Sequence, residues 1–315
     1  GIATPDGGTT VHSTLYVVLE NGVCKTVTDA PSEHTYSADS YVGEFELTET
    51  GKPATGANYS FTLYNGSAAV QGLQLGAEHE KTATVTLVAQ DSNGAYVKQD
   101  VSVTIKGSND TPTVTPPVAT AMGVVESGVH NGNVPYDGEP HANAAANTFT
   151  VSDVDRGDTQ TVSIAVTDGK GAAVAGSAMA YHSDTSTYTI DMPEGPFTLT
   201  PGAHTSGASG TSTAYSYQYD LENTREATEK LSLGDTRTYT FTVTVKDSQG
   251  ATVDEKINLT ITGTNDKPTL TLTSGTGASG TATYSVEEND AINGTFTVAD
   301  VDSDGKSMDT NNHTA

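Results

Sequence analysis

Several stretches of the chain alternate strictly between apolar and polar residues. Tyr239, Phe241, Val243 and Val245 are interleaved with Thr240, Thr242 and Thr244, the period of a strand with one buried face. After Asp247-Ser-Gln-Gly250 the alternation resumes at Ile257, Leu259 and Ile261, so the two runs predict a hairpin. Ala83, Val85 and Leu87, followed by Val101, Val103 and Ile105, predict its equivalent earlier in the chain. Asn21-Gly22, Asn65-Gly66, Asp168-Gly169 and Asn293-Gly294 are turn pairs. No stretch keeps a helical period, and Glu222–Leu231 can supply at most a turn or two. The fold class is therefore all-β, with short strands and frequent turns that predict β-sandwiches.

The pattern also repeats. Val103-Thr-Ile-Lys-Gly-Ser-Asn-Asp-Thr-Pro-Thr-Val114 returns as Leu259-Thr-Ile-Thr-Gly-Thr-Asn-Asp-Lys-Pro-Thr-Leu270, and Asn109 to Asn265 is an offset of 156 residues. Thr84–Gly94 matches Thr240–Gly250 at the same offset, and Phe149-Thr-Val-Ser-Asp-Val-Asp155 returns as Phe296-Thr-Val-Ala-Asp-Val-Asp302. Three blocks in one order define tandem units. Residues 1–110 read as a unit incomplete at its start, 111–266 as a complete unit, and 267–315 as the start of a third. Both chain ends read as cuts in a longer chain. A unit of this length exceeds the ~100 residues usual for a sandwich, so long insertions are expected in Val129–Asn147 and around Ala172–Gly210.

Charge narrows the partners. Lys and Arg number 14 against 39 Asp and Glu, a formal net charge of −25. Nucleic acid and anionic membrane surfaces are also negative and are disfavoured. No run of 18 apolar residues exists to insert into a membrane. Cys24 is the single cysteine of the chain, so no internal disulfide can form.

Part of the acidity is clustered. Asp153-Val-Asp-Arg-Gly-Asp158 and Asp300-Val-Asp-Ser-Asp-Gly305 each place three carboxylates within six residues, after the same Phe-Thr-Val run. Alternate oxygens of such loops can converge on Ca²⁺, which takes six to eight oxygen ligands. Plain Asp- and Gly-rich turns are the competing reading. Asp300–Gly305 also fits the opening of an EF-hand loop, but Asn311 at the twelfth position and the lack of a flanking helical pattern disfavour it. Asn109-Asp110 and Asn265-Asp266 lie in Gly-x-Asn-Asp-x-Pro segments where one unit ends and the next begins. They are either simple turns, stiffened by Pro112 and Pro268, or calcium ligands fixing one sandwich against the next.

Other motifs carry less. Arg156-Gly-Asp158 spells an integrin-type tripeptide, but it lies inside an acidic loop whose parallel copy has Ser303-Asp-Gly305. Gly275-Thr-Gly-Ala-Ser-Gly280 is followed by a strand pattern, not the helix a dinucleotide site needs. The eight His are scattered, no nucleophile elbow occurs, and Trp is absent, which argues against zinc, serine and glycosidase chemistry.

These motifs together carry a resemblance. Gly-Thr-Asn-Asp-Lys-Pro at 263–268, Thr-Phe-Thr-Val-Ser-Asp-Val-Asp-Arg-Gly-Asp at 148–158 and Tyr-Thr-Phe-Thr-Val-Thr-Val-Lys-Asp-Ser-Gln-Gly at 239–250 are similar to the VCBS repeats of giant bacterial adhesins. Tyr59–Asn65 and Tyr217–Asn223, each followed by Leu-Gly, add to it. The resemblance covers most of 57–110 and much of 111–304. It implies tandem cadherin-like or immunoglobulin-like β-sandwiches joined by calcium-binding linkers, secreted and displayed on the bacterial cell surface.

By the cadherin analogy, Asn109 and Asp110 would share calcium with Asp153, Asp155 and Asp247, and Asp158 belongs to the same loop. Glu126 would reach the far end of its sandwich and join Asn265, Asp266, Asp300 and Asp302. Glu287 and Asp304 complete the candidate ligands. The implied function is a non-enzymatic, calcium-stiffened extender for cell adhesion or biofilm formation. Its partners would be calcium and the neighbouring repeats, while other domains of the parent protein engage host or matrix glycans or proteins. A carbohydrate- or protein-binding module is the alternative, with a surface near Tyr181-His182, Tyr188 and Pro193–Pro196. The third unit is truncated, and the first lacks an acidic loop and a clear counterpart of Glu126.

Overall fold

The computed structural model describes residues 2–3, 12–33, 35–50, 56–91, 93–116, 121–130, 134–135, 144–207, 210–272, 286–288, 291 and 294–302. The chain is all-β, its strands gathered into several sheets. Among the described residues, helix is limited to two single turns, α1 (Ala68–Gln71) and α2 (Glu226–Glu229), and three short 3₁₀ segments.

Before Asn109, one sheet orders the strands Val23–Val27, His12–Glu20, Tyr41–Thr50 and Gly56–Leu63. A second orders Ile2–Ala3, Lys81–Gln90 and Tyr96–Ile105. Their shared core includes Val17, Val42, Phe45, Val70, Val85 and Ile105. Phe45 and Phe61, cross-strand partners in the first sheet, pack with ring centroids 4.9 Å apart.

Between the linkers, a six-stranded sheet orders Ala180–His182, Thr187–Met192, Gly195–Gly207, Gly210–Asp220, Ala144–Asp153 and Thr113–Thr115. It faces a four-stranded sheet ordered Thr161–Asp168, Thr236–Lys246, Thr252–Thr262 and Ala121–Val125. Alternation decides which side chains meet. Tyr239, Phe241, Val243 and Val245 are buried, while the intervening threonines are only partly so. Phe241 is fully buried and stacks on Phe197 of the opposite sheet at 4.3 Å between centroids. Phe149 and Tyr215 stack at 5.1 Å in the same core.

The predicted hairpin forms in full register, from Thr236 opposite Thr262 to Lys246 opposite Thr252. The chain enters this unit in two pieces that serve different sheets. Thr113–Thr115 pairs antiparallel with Ala144–Asp153, and Ala121–Val125 then pairs parallel with Thr252–Thr262.

The segment Ala172–Gly210, read from unit length as a long insertion, is built into the sheet rather than left as a loop. Its residues supply three strands of the six-stranded sheet, and Ile190, Met192, Phe197 and Leu199 lie in the core with at most 1% exposure. These residues alternate with exposed or half-buried neighbours, so the segment folds by the same period-2 rule as the rest. The other expected insertion, Val129–Asn147, contains a two-residue pairing of Val129–His130 with Val134–Pro135 and the first residues of the strand Ala144–Asp153. Its remaining residues lie outside those described.

One carboxylate is fully buried away from the joints' acidic loops. Glu194, at the turn between Thr187–Met192 and Gly195–Gly207, has 0% exposure and accepts from the Tyr239 hydroxyl at 2.9 and 3.0 Å. Arg237 faces it at 3.2 Å. Its backbone carbonyl accepts from Glu222 N–H at 2.9 Å and from the Thr228 hydroxyl at 3.4 Å, which ties α2 and its approach to the sandwich.

Substituting Phe241→Ala removes a ring from a closed core and is expected to cost about 3–5 kcal/mol. Calorimetry should show the melting transition of the 111–266 unit lowered by on the order of 10 °C. The transition of the first unit, whose core does not contain Phe241, should stay in place.

Candidate functional site

Strand register builds both joints. Thr113 pairs with Ser152, and Thr269 pairs with Ala299. Continuing each antiparallel register three residues toward the linker sets Asp110 opposite Asp155 and Asp266 opposite Asp302. The hydrogen bonds agree. Asp110 N–H donates to Asp155 Oδ2 at 2.9 Å, and Asp266 N–H donates to Asp302 Oδ2 at 2.8 Å. Each loop also closes on itself: Asp155 N–H donates to Asp153 Oδ1 at 2.9 Å, and Asp302 N–H to Asp300 Oδ1 at 3.2 Å.

At the first joint the hairpin turn supplies a third wall. Asp247 Oδ1 accepts from the backbone N–H groups of Gln249, Gly250 and Ala251 at 3.0, 2.5 and 2.8 Å. That leaves Oδ2 to accept from the side-chain amide of Asn109 at 2.9 Å. Asp158 Oδ1 accepts from Thr159 N–H at 2.8 Å and from the Ser248 hydroxyl. Gly210 sits under this loop with φ +98°, and a Cβ there would fall 1.9 Å from the carbonyl oxygen of Asp153. Only glycine allows the strand to come so close.

The result is a knot of acid groups out of water. Asp153, Asp155, Asp158 and Asp247 are all no more than 4% exposed. Asp153, Asp158 and Asp247 each offer an oxygen within 4.8 Å of the others. Four oxygens are buried without a hydrogen-bond partner: Asn109 Oδ1, Asp153 Oδ2, Asp155 Oδ1 and Asp158 Oδ2. An unsatisfied buried polar group costs about 1–3 kcal/mol, and more when charged. Desolvation, then the neighbouring carboxylates, raises the Asp153 carboxyl and pushes Asp155 up to about 6. Asp91, the hairpin counterpart of Asp247 in the first unit, accepts two of the three matching turn hydrogen bonds yet is exposed.

The second joint is assembled differently. Glu126, 1% exposed at the end of Ala121–Val125, accepts from Thr264 N–H at 3.0 Å through Oε2. Its Oε1 and Asp266 Oδ2 are buried without a partner. Burial pushes Glu126 up to about 8 and Asp266 to about 6, and the charges of Asp302 and Glu229 add to both shifts. Asp300 adds to that of Asp266.

The structure thus brings Asn109, Asp110, Asp153, Asp155, Asp158 and Asp247 together at one joint. At the other it gathers Glu126, Asp266, Asp300 and Asp302. Asn265 lies in the second linker, but its amide donates to the Asp266 carbonyl at 2.7 Å and does not reach across as Asn109 does. Glu287 is exposed and forms no bond to this group among the described residues. Asp304 lies outside the described residues. Sequence reasoning missed Glu229. Its signal is the α2 turn that follows Asn223 as α1 follows Asn65, with Glu229 in the place of Gln71. Both clusters offer hard oxygen donors, a set suited to a Group 2 cation.

No protein-family model matches the chain, and no curated protein does. Among solved structures, the chain is similar to one described as "Zebrafish RET Cadherin Like Domains 1 to 4", at 10% identity and a TM-score of 0.27, over 81% of this chain and 41% of that one. A second is "The Enterococcus faecalis MSCRAMM ACE binds its ligands by the collagen Hug Model", at 12% identity and a TM-score of 0.15, over 81% of this chain and 83% of that one. At these scores neither carries an argument. Among the described residues no helix is long and apolar enough to cross a membrane.

With divalent cations removed, the raised carboxyls hold protons in the fold that the unfolded chain has already released. The stability these groups contribute is fully present below the ordinary values of 3.8 and 4.5 and is lost as pH rises through about 6 for Asp155 and Asp266 and about 8 for Glu126. The metal-free melting temperature is expected to fall steadily from pH 4 to pH 8, and Glu126→Gln should remove the upper part of that fall. A melting temperature that climbs over this range would contradict the assignment.

Proposed function

We propose that the chain is a calcium-stiffened extender segment of a secreted bacterial cell-surface adhesin, built of VCBS-type, cadherin-like sandwiches and without enzymatic activity. Its work is mechanical: each joint, once filled, turns a flexible link into a strut that carries a distal binding domain away from the cell. The observation that carries this reading is the set of four partnerless buried oxygens at the first joint, on Asn109, Asp153, Asp155 and Asp158. They come from the linker on one side and from the next unit's loop on the other. An ion held there necessarily crosses the joint.

Calcium suits the donors better than other cations. The groups are carboxylate and amide oxygens, with no His or Cys in the cluster, and Ca²⁺ accepts irregular oxygen cages that Mg²⁺ does not. Extracellular calcium modules bind at about 10⁻⁴–10⁻³ M, so the segment would be loose at cytosolic calcium and stiffen after export. Each ion would also neutralise two of the charges that otherwise repel across the joint.

Calorimetric titration of the chelator-stripped chain with calcium should show binding, together with a higher melting temperature and a narrower distribution of scattering dimensions. Asp110→Ala and Asp266→Ala should each remove the sites of one joint and spare the other. The reading is wrong if stripping and restoring calcium leaves both melting temperature and scattering radius unchanged.

A further inference from the structure

Among the described residues, the first joint holds a contact that has nothing to do with metal. Arg156, in the acidic loop of the 111–266 unit, reaches back across the joint to α1 of the first unit. Its guanidinium Nη2 donates to the Ala68 carbonyl at 3.1 Å, and its backbone N–H donates to the Gly72 carbonyl at 3.3 Å. The guanidinium bond is charge-assisted, a class roughly twice as strong as neutral hydrogen bonds. The approach is close: a Cβ on Gly72 would lie 2.7 Å from Arg156 Nε and 2.9 Å from its Cγ. Gly72 has φ −83°, so its backbone does not demand glycine, and the contact with Arg156 is a reason for it. The side chain is half-buried there, which also takes the Arg-Gly-Asp tripeptide out of presentation.

At the second joint the matching loop residue is Ser303, which has no cation to offer. The turn it would meet is α2, which carries Glu229 and, at the place of Gly72, Lys230, whose ammonium pairs with Glu226. The first joint therefore holds a cross-joint arginine contact that the sequence of the second loop cannot supply. We propose that Arg156 is a metal-independent latch that keeps the first two units docked when cations are withdrawn, while the second joint, lacking it, comes free. The behaviour of the second joint rests on the calcium reading above; the latch does not.

The test uses paired nitroxide labels on the full chain with Cys24→Ser. Labels at Tyr59→Cys and Tyr181→Cys report the first joint, and labels at Tyr181→Cys and Leu270→Cys report the second; all three native side chains are more than half exposed. With divalent cations removed, the first distance distribution is expected to stay as narrow as with calcium, and the second to broaden. Arg156→Ser, copying the other loop, should broaden the first distribution without cations, and Gly72→Ala should do the same from the opposite side of the contact. Unchanged melting of each unit would show that both variants fold. The latch is overturned if the native first joint broadens on chelation, or if both variants remain narrow. The asymmetry is overturned if the second joint stays narrow without cations. If the variants broaden without cations and calcium fails to narrow them again, the latch stands and the calcium reading fails.

Discussion

Carboxylates crowded together out of water are the condition on which both joints rest. Two unit charges 4 Å apart repel by about 4 kcal/mol at the effective dielectric of a protein near its surface, and the first joint gathers five acidic side chains. The fold cannot relieve this by turning the groups outward, because backbone N–H donors hold them. Asp155 and Asp247 each give one oxygen to the main chain and have the other directed elsewhere in the knot. Desolvation and mutual repulsion then act on the same few oxygens, which is why the Asp153 and Asp155 carboxyls are raised.

Register makes the arrangement repeatable. A linker strand that pairs with the Phe-Thr-Val strand of its own unit must pass beside the loop that this strand enters. The Pro after each Asn-Asp keeps the linker extended. The joint is therefore encoded twice in local sequence and assembled by an ordinary antiparallel ladder. Exposed Asp91, in a turn that matches the one holding buried Asp247, shows that burial comes from the linker and the neighbouring loop, not from the turn itself.

Much of this was legible in the chain. Alternation at Tyr239–Val245 and Ile257–Ile261 marked the hairpin, and the repeated Asn-Asp and Asp-x-Asp segments marked residues that now lie side by side. The strands of segment 172–210 were passed over because only unit length was weighed against a typical sandwich. The segment's own pattern, with Ile190 and Met192, then Phe197 and Leu199, already had a strand's period. The roles of Glu229 and Arg156 were not legible for a different reason, even though Glu229 holds a matching place in a repeated turn. Each acts on residues far away in sequence, through a turn whose direction no local pattern specifies, and Arg156 stood inside a tripeptide that suggested an unrelated partner. Glu194 was hidden likewise, its burial depending on Tyr239 and Arg237 arriving from another strand.

The pairing of Ala121–Val125 with Thr252–Thr262 is parallel, and these strands lie near the two ends by which the unit joins its neighbours. A pull applied along the array draws the first backward and the second forward. Their five paired positions are then loaded together in shear, so they must give way as a group; an antiparallel pair peeled from one end would open a bond at a time. In the proposed extender, the same strand that delivers Glu126 to the second joint would also carry tension through the unit. Load and cation would meet on one short piece of chain, and weakening either would be felt by the other.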